Sequence, residues 1–285
     1  MITKISFDSG REGQHLLVFG GIHGDEVCGP IALQKLVDEL ESGVIKILTG
    51  KITIVPVCNP KAYEQQKRFI DKNLNRVIMH HPNPTAYEEY LANEIVKLIS
   101  DTQADALLDL HSYTSGTRPF LFVDSPSDEN IAFAKSLSIN DWITGWSELY
   151  PPASGESDTT GFADTQNMAA LTIECGQHKD PAANDVAYQT TIEAMSHFGI
   201  LNDTEKSQAS PHKNIHRLEK IIVKEEGGDF IQDWQHLDTV RQGTVMAVRS
   251  TGQEIIAKKD SVILLPHREA TVGSEWFYLG VLQKN

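Results

Sequence analysis

A histidine and a glutamate three residues apart, His23 and Glu26, lie in the run Gly20-Gly21-Ile22-His23-Gly24-Asp25-Glu26. Imidazole and carboxylate both ligate zinc, and the flanking glycines let the backbone fold tightly enough for the two side chains to converge on one ion. A catalytic zinc site takes a third protein ligand and leaves a fourth position open to water. His111, in Asp109-Leu110-His111-Ser112, is the best candidate for that third ligand. Glu174, followed by Cys175-Gly176, offers a carboxylate that could serve as general base toward a metal-activated water. Two basic groups, Arg68 and the pair Asn75-Arg76, supply guanidinium forks suited to a carboxylate or a developing oxyanion.

These residues fall at the ends of elements that could bring them together. Near-continuous apolar runs at residues 16–19, 52–55, 106–110, 120–123 and 171–173 read as strands covered on both faces. They alternate with helical patterns, which predicts a mixed, largely parallel α/β sheet between helices. Such sheets bind ligands beyond the carboxyl ends of their strands, which is where His23 and Glu26, the arginine loop, His111 and Glu174 each emerge. Leu33, Leu36, Val37 and Leu40 predict a helix after Pro30, and Tyr87, Leu91, Ile95 and Leu98 a second one opened by a capping box, Thr85 to Glu88. A third is expected to start at Asp180-Pro181 and to stop at Gly199. Residues 140–168, with Trp142, Trp146, Tyr150 and Pro151-Pro152, show no sustained period and read as a long ordered loop.

Beyond a polar linker at residues 202–214 the pattern changes to short strands at 218–224, 244–248, 254–257, 261–265 and 277–282, with turns at Gly227-Gly228, Gly252 and Gly273. A smaller C-terminal all-β domain follows, with expected boundaries of 1–205 and 206–285. The net charge of −14 and the lack of a Lys/Arg cluster exclude a nucleic-acid partner. No apolar run approaches the roughly 18 residues of a membrane span, and the polar residues 1–10 lack the apolar core of a secretory signal, so a cytoplasmic protein is expected. Cys28, Cys58 and Cys175 lie far apart and are expected to be buried, reduced thiols.

Each of these features alone has an ordinary explanation: a lone His-x-x-Glu arises by chance, Arg76 could be a surface residue, and Glu174 a charge at a strand end. His80 and His81 are expected at the surface. The order of the whole set is more specific. Gly21-Ile22-His23-Gly24-Asp25-Glu26, Asn59-Pro60-Lys61-Ala62, Arg68-Phe69-Ile70-Asp71, Asn73-Leu74-Asn75-Arg76, Asp109-Leu110-His111 and Thr172-Ile173-Glu174-Cys175-Gly176 together resemble the succinylglutamate desuccinylase and aspartoacylase family, itself related to the zinc carboxypeptidases. The resemblance spans most of residues 12–180. It implies a zinc-dependent hydrolase of the linear amide in a small N-acyl amino acid, with His23, Glu26 and His111 as zinc ligands and Glu174 as base. It further implies that Arg68 polarises the scissile carbonyl, that Asn75 and Arg76 grip the α-carboxylate, that Tyr278 contacts substrate, and that a β-rich domain closes over the site.

One departure stands out. Relatives acting on aspartyl or succinyl groups use an arginine before the catalytic glutamate, and no arginine occurs between Pro119 and His216. A neutral acyl group is therefore expected, with Trp142, Trp146 or Tyr150 as apolar contacts and Arg118 or Lys179 as alternative cations. A zinc carboxypeptidase, or a non-catalytic metal or metabolite binder of the same fold, are the competing readings, and homo-oligomerisation is left open.

Overall fold

The computed structural model describes residues 2–124, 127–150, 155–202 and 213–283. In chain order the elements are β1 (Ile5–Asp8), β2 (His15–Gly20), α1 (Cys28–Glu41), β3 (Lys51–Val55), α2 (Pro60–Glu64), α3 (Tyr87–Thr102), β4 (Ala106–Tyr113), β5 (Phe120–Phe122), α4 (Asp128–Ser136), β6 (Asp141–Thr144), α5 (Trp146–Leu149), α6 (Thr159–Thr165), β7 (Ala169–Gln177) and α7 (Ala182–His197). The C-terminal part adds β8 (Asn214–Val223), β9 (Gly228–Phe230), β10 (Thr239–Val240), β11 (Val245–Arg249), β12 (Glu254–Ile256), β13 (Ser261–Leu264) and β14 (Glu275–Leu282). The strands of the larger sheet run in the order β1-β3-β2-β4-β7-β5-β6-β8-β14-β13-β10. Pairing is parallel for β3-β2-β4-β7 and again for β5-β6-β8. It is antiparallel from β8 through β14, β13 and β10. The expected mixed α/β sheet between helices forms, and the C-terminal part is β-rich as expected, but β8, β14, β13 and β10 extend the same sheet where a separate all-β unit was expected.

Alternation along the central strands decides which helices cover which face, since successive side chains point to opposite sides. Leu16, Val18, Leu108, Leu110, Leu171 and Ile173 join one core with Leu33, Leu36, Ala187 and Met195, so α1 and α7 lie on that side. Leu17, Phe19, Leu107 and Ala170 join the other with Leu91, Ile95, Ile99 and Ala163, from α3 and α6. A third core gathers Trp234, Met246, Trp276 and Phe277 in the C-terminal part. A fourth, with Tyr113, Phe120, Leu218, Val262 and Tyr278, joins that part to the strands of the first.

Several expectations need correction. Residues 140–168 are not one loop, because β6, α5 and α6 all fall inside them. These elements are four, four and seven residues long, too short to display a period. His111 and Glu174 do not follow their strands but lie within β4 and β7, each of which continues for several residues past the apolar run. The capping box of α3 is closed by Glu89, whose Oε2 accepts from the backbone N–H groups of Thr85 and Ala86, and not by Glu88. Gly228 opens β9 instead of completing a turn, and β1 and β10 were not expected at all. The third helix does stop as expected, with Gly199 at φ +68 just past its end. Pro151, Pro152 and residues 203–212 of the expected linker lie outside the described residues. Among the described residues no helix is long and apolar enough to cross a membrane.

Candidate active site

On the α3/α6 face the apolar pattern gives way to polar side chains toward the carboxyl ends of β4 and β7: Asp109 and His111 on one, Thr172 and Glu174 on the other. The register pairs Asp109 with Thr172 and His111 with Glu174. The loop after β2 brings His23 and Glu26 to the same end. It can do so because Gly21 takes φ +59, and because Gly24 packs so tightly on α2 that a Cβ there would sit 2.0 Å from the Ala62 carbonyl carbon. Gly24 N–H also donates to the carbonyl of Arg68 (3.3 Å), joining this loop to the arginine loop.

His23, Glu26 and His111 are all buried and present ligand atoms within 4.8 Å of one another. His23 Nδ1 lies 2.8 Å from Glu26 Oε1, and His111 Nδ1 2.9 Å from Glu26 Oε2. The far nitrogens are backed by polar groups: His23 Nε2 meets Asn73 Oδ1 at 2.9 Å, and His111 Nε2 lies 3.0 Å from Asp109 Oδ2. With Nε2 protonated toward Asn73, His23 Nδ1 is left as a buried lone pair without a hydrogen-bond partner among the described residues, which suits a metal ion. Two imidazoles and one carboxylate form a donor set appropriate to zinc.

Charge compresses this group. Burial alone would raise Glu26, but His23 and His111 hold it well below the usual carboxylate range. Burial would lower His111, yet Asp109 and Glu26 push it well above the ordinary histidine value. His23 is lowered by burial and by Arg68. Glu174 rises well above the carboxylate range because of burial and the charge of Glu26, and its Oε2 is buried without a hydrogen-bond partner among the described residues.

All eight residues singled out from the sequence, His23, Glu26, Arg68, Asn75, Arg76, His111, Glu174 and Tyr278, line one cavity of about 750 Å³. Arg68 Nη1 donates to Glu26 Oε1 at 2.8 Å while its side chain stays 44% exposed, so it retains donors for another partner. Arg76 stacks over Trp146 and Tyr150 at 5.2 and 4.9 Å. It also lies 3.5 Å from Glu156 and 3.8 Å from Glu275. Tyr278 and Tyr150 join hydroxyls at 2.9 Å, and Tyr150 donates to Glu275 at 2.8 Å. Trp142 belongs to the core and not to the cavity wall, whereas Trp146 and Tyr150 do line it. Arg118 is paired with Asp141 at 2.6 Å and lies outside the lining, as does Lys179.

Sequence reasoning missed Glu156 and Glu275 as neighbours of the site and gave no role to Asp109 and Asn73, which stand in Asp109-Leu110-His111 and Asn73-Leu74-Asn75-Arg76. Asp109 had a usable signal, an acid inside an otherwise apolar strand two residues from a candidate ligand. Glu156 and Glu275 depend on how a loop and the last strand meet Arg76, which no local pattern encodes.

The fold and this constellation define an α/β protein with a buried two-histidine, one-carboxylate group at the carboxyl ends of parallel strands, beside a glutamate whose Oε2 has no hydrogen-bond partner among the described residues. The family model for the succinylglutamate desuccinylase/aspartoacylase catalytic domain matches residues 12–198, and the chain belongs to that family of hydrolases. Succinylglutamate desuccinylase of Vibrio vulnificus is 24% identical over 286 residues, covering 96% of this chain and 82% of the relative. Among solved structures, a succinylglutamate desuccinylase/aspartoacylase from Rhodobacter sphaeroides superposes with a TM-score of 0.80 at 17% identity, covering 99% and 89% of the two chains. The ectoine utilization protein EutE (DoeB) from Ruegeria pomeroyi does so with a TM-score of 0.78 at 22% identity, covering 99% and 89%.

Proposed function

We propose that this protein is a zinc-dependent amidohydrolase that deacylates a small N-acyl amino acid with a neutral acyl group. The observation that carries this reading is the meeting of His23, Glu26 and His111 with Glu174, Asn75 and Arg76 in one cavity. His23, Glu26 and His111 would hold the zinc. When bound there, zinc would supply Lewis acidity, lowering the pKa of water to about 7 and polarising the amide carbonyl.

The chain's own groups supply the rest. Glu174 Oε2 takes a proton from the attacking water and delivers it to the leaving nitrogen, so water adds across the amide to give a carboxylate and a free amino acid. Arg68 donates to the carbonyl oxygen as negative charge develops on it. Asn75 and Arg76 hold the α-carboxylate. Tyr278, with Trp146 and Tyr150, forms an aromatic wall for the apolar part of the substrate.

Two features support a small substrate with a neutral acyl group. Among the described residues, Arg68 and Arg76 are the lysine or arginine side chains of the cavity lining, and no third one stands there to meet an acyl carboxylate. Glu275 and Tyr278 of β14, with Leu265 and His267 from the segment between β13 and β14, bring the C-terminal part onto the cavity wall, where an extended peptide would need room. A panel of N-acetyl, N-succinyl and peptide substrates, read by amine release from the zinc-loaded protein, tests this. Turnover of N-acyl amino acids above peptides is expected, and preference for peptides would favour a carboxypeptidase.

A further inference from the structure

Helix α3 opens with two consecutive glutamates that the fold uses differently. Glu89 closes the helix start. Glu88 turns inward and is 0% exposed. Its Oε1 accepts from the backbone N–H of Ile70 at 2.7 Å and from Asn59 Nδ2 at 3.2 Å. Its Oε2 accepts from the N–H groups of Asp71 and Lys72, both at 3.0 Å. All four donors are neutral, so a fully buried carboxylate is held by converging amide dipoles and not by a cation.

Three of those donors are consecutive amides of one loop, a set that two carboxylate oxygens satisfy together only when the loop takes one shape. That loop begins beside Arg68 and leads into Asn73, whose Oδ1 meets both His23 Nε2 and the N–H of Asn75. Asn59, the fourth partner, also caps α2, the helix against which Gly24 packs.

We propose that Glu88 is a positioning residue for the active site: its carboxylate fixes the loop at residues 68–76 and so places Arg68, Asn73 and Asn75. It lies outside the cavity lining and acts only through the loop. The kinetic consequence rests on the deacylase reading above, whereas the structural one does not.

Glu88→Gln is the informative variant, because its side-chain amide presents N–H where an acceptor is required. Amide hydrogen exchange at residues 70–72 should accelerate strongly in Glu88→Gln and stay at the parent rate in Glu89→Gln, which loosens only the helix start and the Lys72 ion pair. With zinc loaded, Glu88→Gln should lose about 100-fold in kcat/KM through both a lower kcat and a higher KM, the effect expected of a displacement of ~1 Å, while Glu89→Gln changes by less than about threefold. If Glu88→Gln does not fold, Glu88→Asp, shorter by one methylene, should show intermediate exchange and kinetics. Parent-like exchange and kinetics in the folded variant, or an equal loss in Glu89→Gln, would overturn the proposal. A parent that releases amine from no N-acyl amino acid would sink the functional reading, and exchange at residues 70–72 would then decide the anchor alone.

Discussion

His111 and Glu174 are directly paired across neighbouring parallel strands, β4 and β7. Both stand on the sheet face that carries Leu107 and Ala170 deeper in the molecule, and a register slip of one residue would turn one of them into the opposite core. The apolar alternation that packs the sheet thus also sets the proposed metal ligand beside the proposed base.

That pairing separates two roles in the mechanism. Glu174→Gln keeps the shape of the side chain but cannot take a proton, so kcat should fall by about 10² to 10⁴ while zinc binding is retained. Steady-state kinetics with zinc analysis of the same sample checks this, and undiminished turnover would remove Glu174 from the mechanism.

Asp109 stands 3.0 Å behind His111 and should act on the metal without touching it. Asp109→Asn should weaken zinc affinity by about 10- to 100-fold, the usual cost of losing a carboxylate behind a ligating histidine. Competition with a chromogenic chelator measures it independently of turnover. Equal affinities would mean that His111 needs no such support.

Charge selectivity should be one-sided. Replacing the α-carboxylate of the amino acid by an amide should cost about 2 kcal/mol in kcat/KM, the low end for an unpaired charge, because Glu156 and Glu275 remain beside Arg76. An N-acetyl amino acid should be cleaved at least as well as its N-succinyl counterpart. A strong preference for succinyl would show that a cation outside the expected set reads the acyl carboxylate.

Much of this was legible because the sheet core and the site share the same strands. Apolar runs located β2, β3, β4, β5 and β7, and their polar ends located His111 and Glu174. The strand boundaries were less legible: hydrogen bonding in β4 and β7 continues past the point where apolar residues stop, since the polar ends line a cavity. The capping box was assigned to Glu88 where Glu89 closes it, because both sit within reach of the helix start and only the tertiary loop at residues 70–72 chooses between them. The surroundings of Arg76 were hidden for a similar reason, as Glu156 and Glu275 reach it from distant parts of the chain.

His236 provides a pH test away from the metal site. It is buried against Phe120, with ring centroids 4.2 Å apart, and accepts the N–H of Leu265 at Nδ1. Burial, with the nearby His216 and Arg118, lowers its pKa from 6.5 to about 3. The unfolded chain therefore binds this proton between those values while the folded one does not, so stability present above pH 6.5 is lost as pH falls toward 3, by up to about 1.4 kcal/mol per unit. His236→Asn, which keeps an acceptor, should be less stable at neutral pH but show a shallower decline in denaturant-derived stability from pH 6.5 to 4. Parallel curves for parent and variant would contradict this.

On the proposed function, His23, Glu26 and His111 hold a zinc ion that this protein needs to cleave N-acyl amino acids. The direct measurement is amine release from an N-acetyl amino acid by the purified protein before chelation, after chelation and after adding back one equivalent of zinc. Turnover should vanish with the metal and return with about one zinc per chain, the stoichiometry of a three-ligand catalytic site, and a His23→Ala/His111→Ala variant should recover neither. Turnover that persists in the chelated protein, or full zinc occupancy in that double variant, would show that these three residues do not hold a metal the reaction needs.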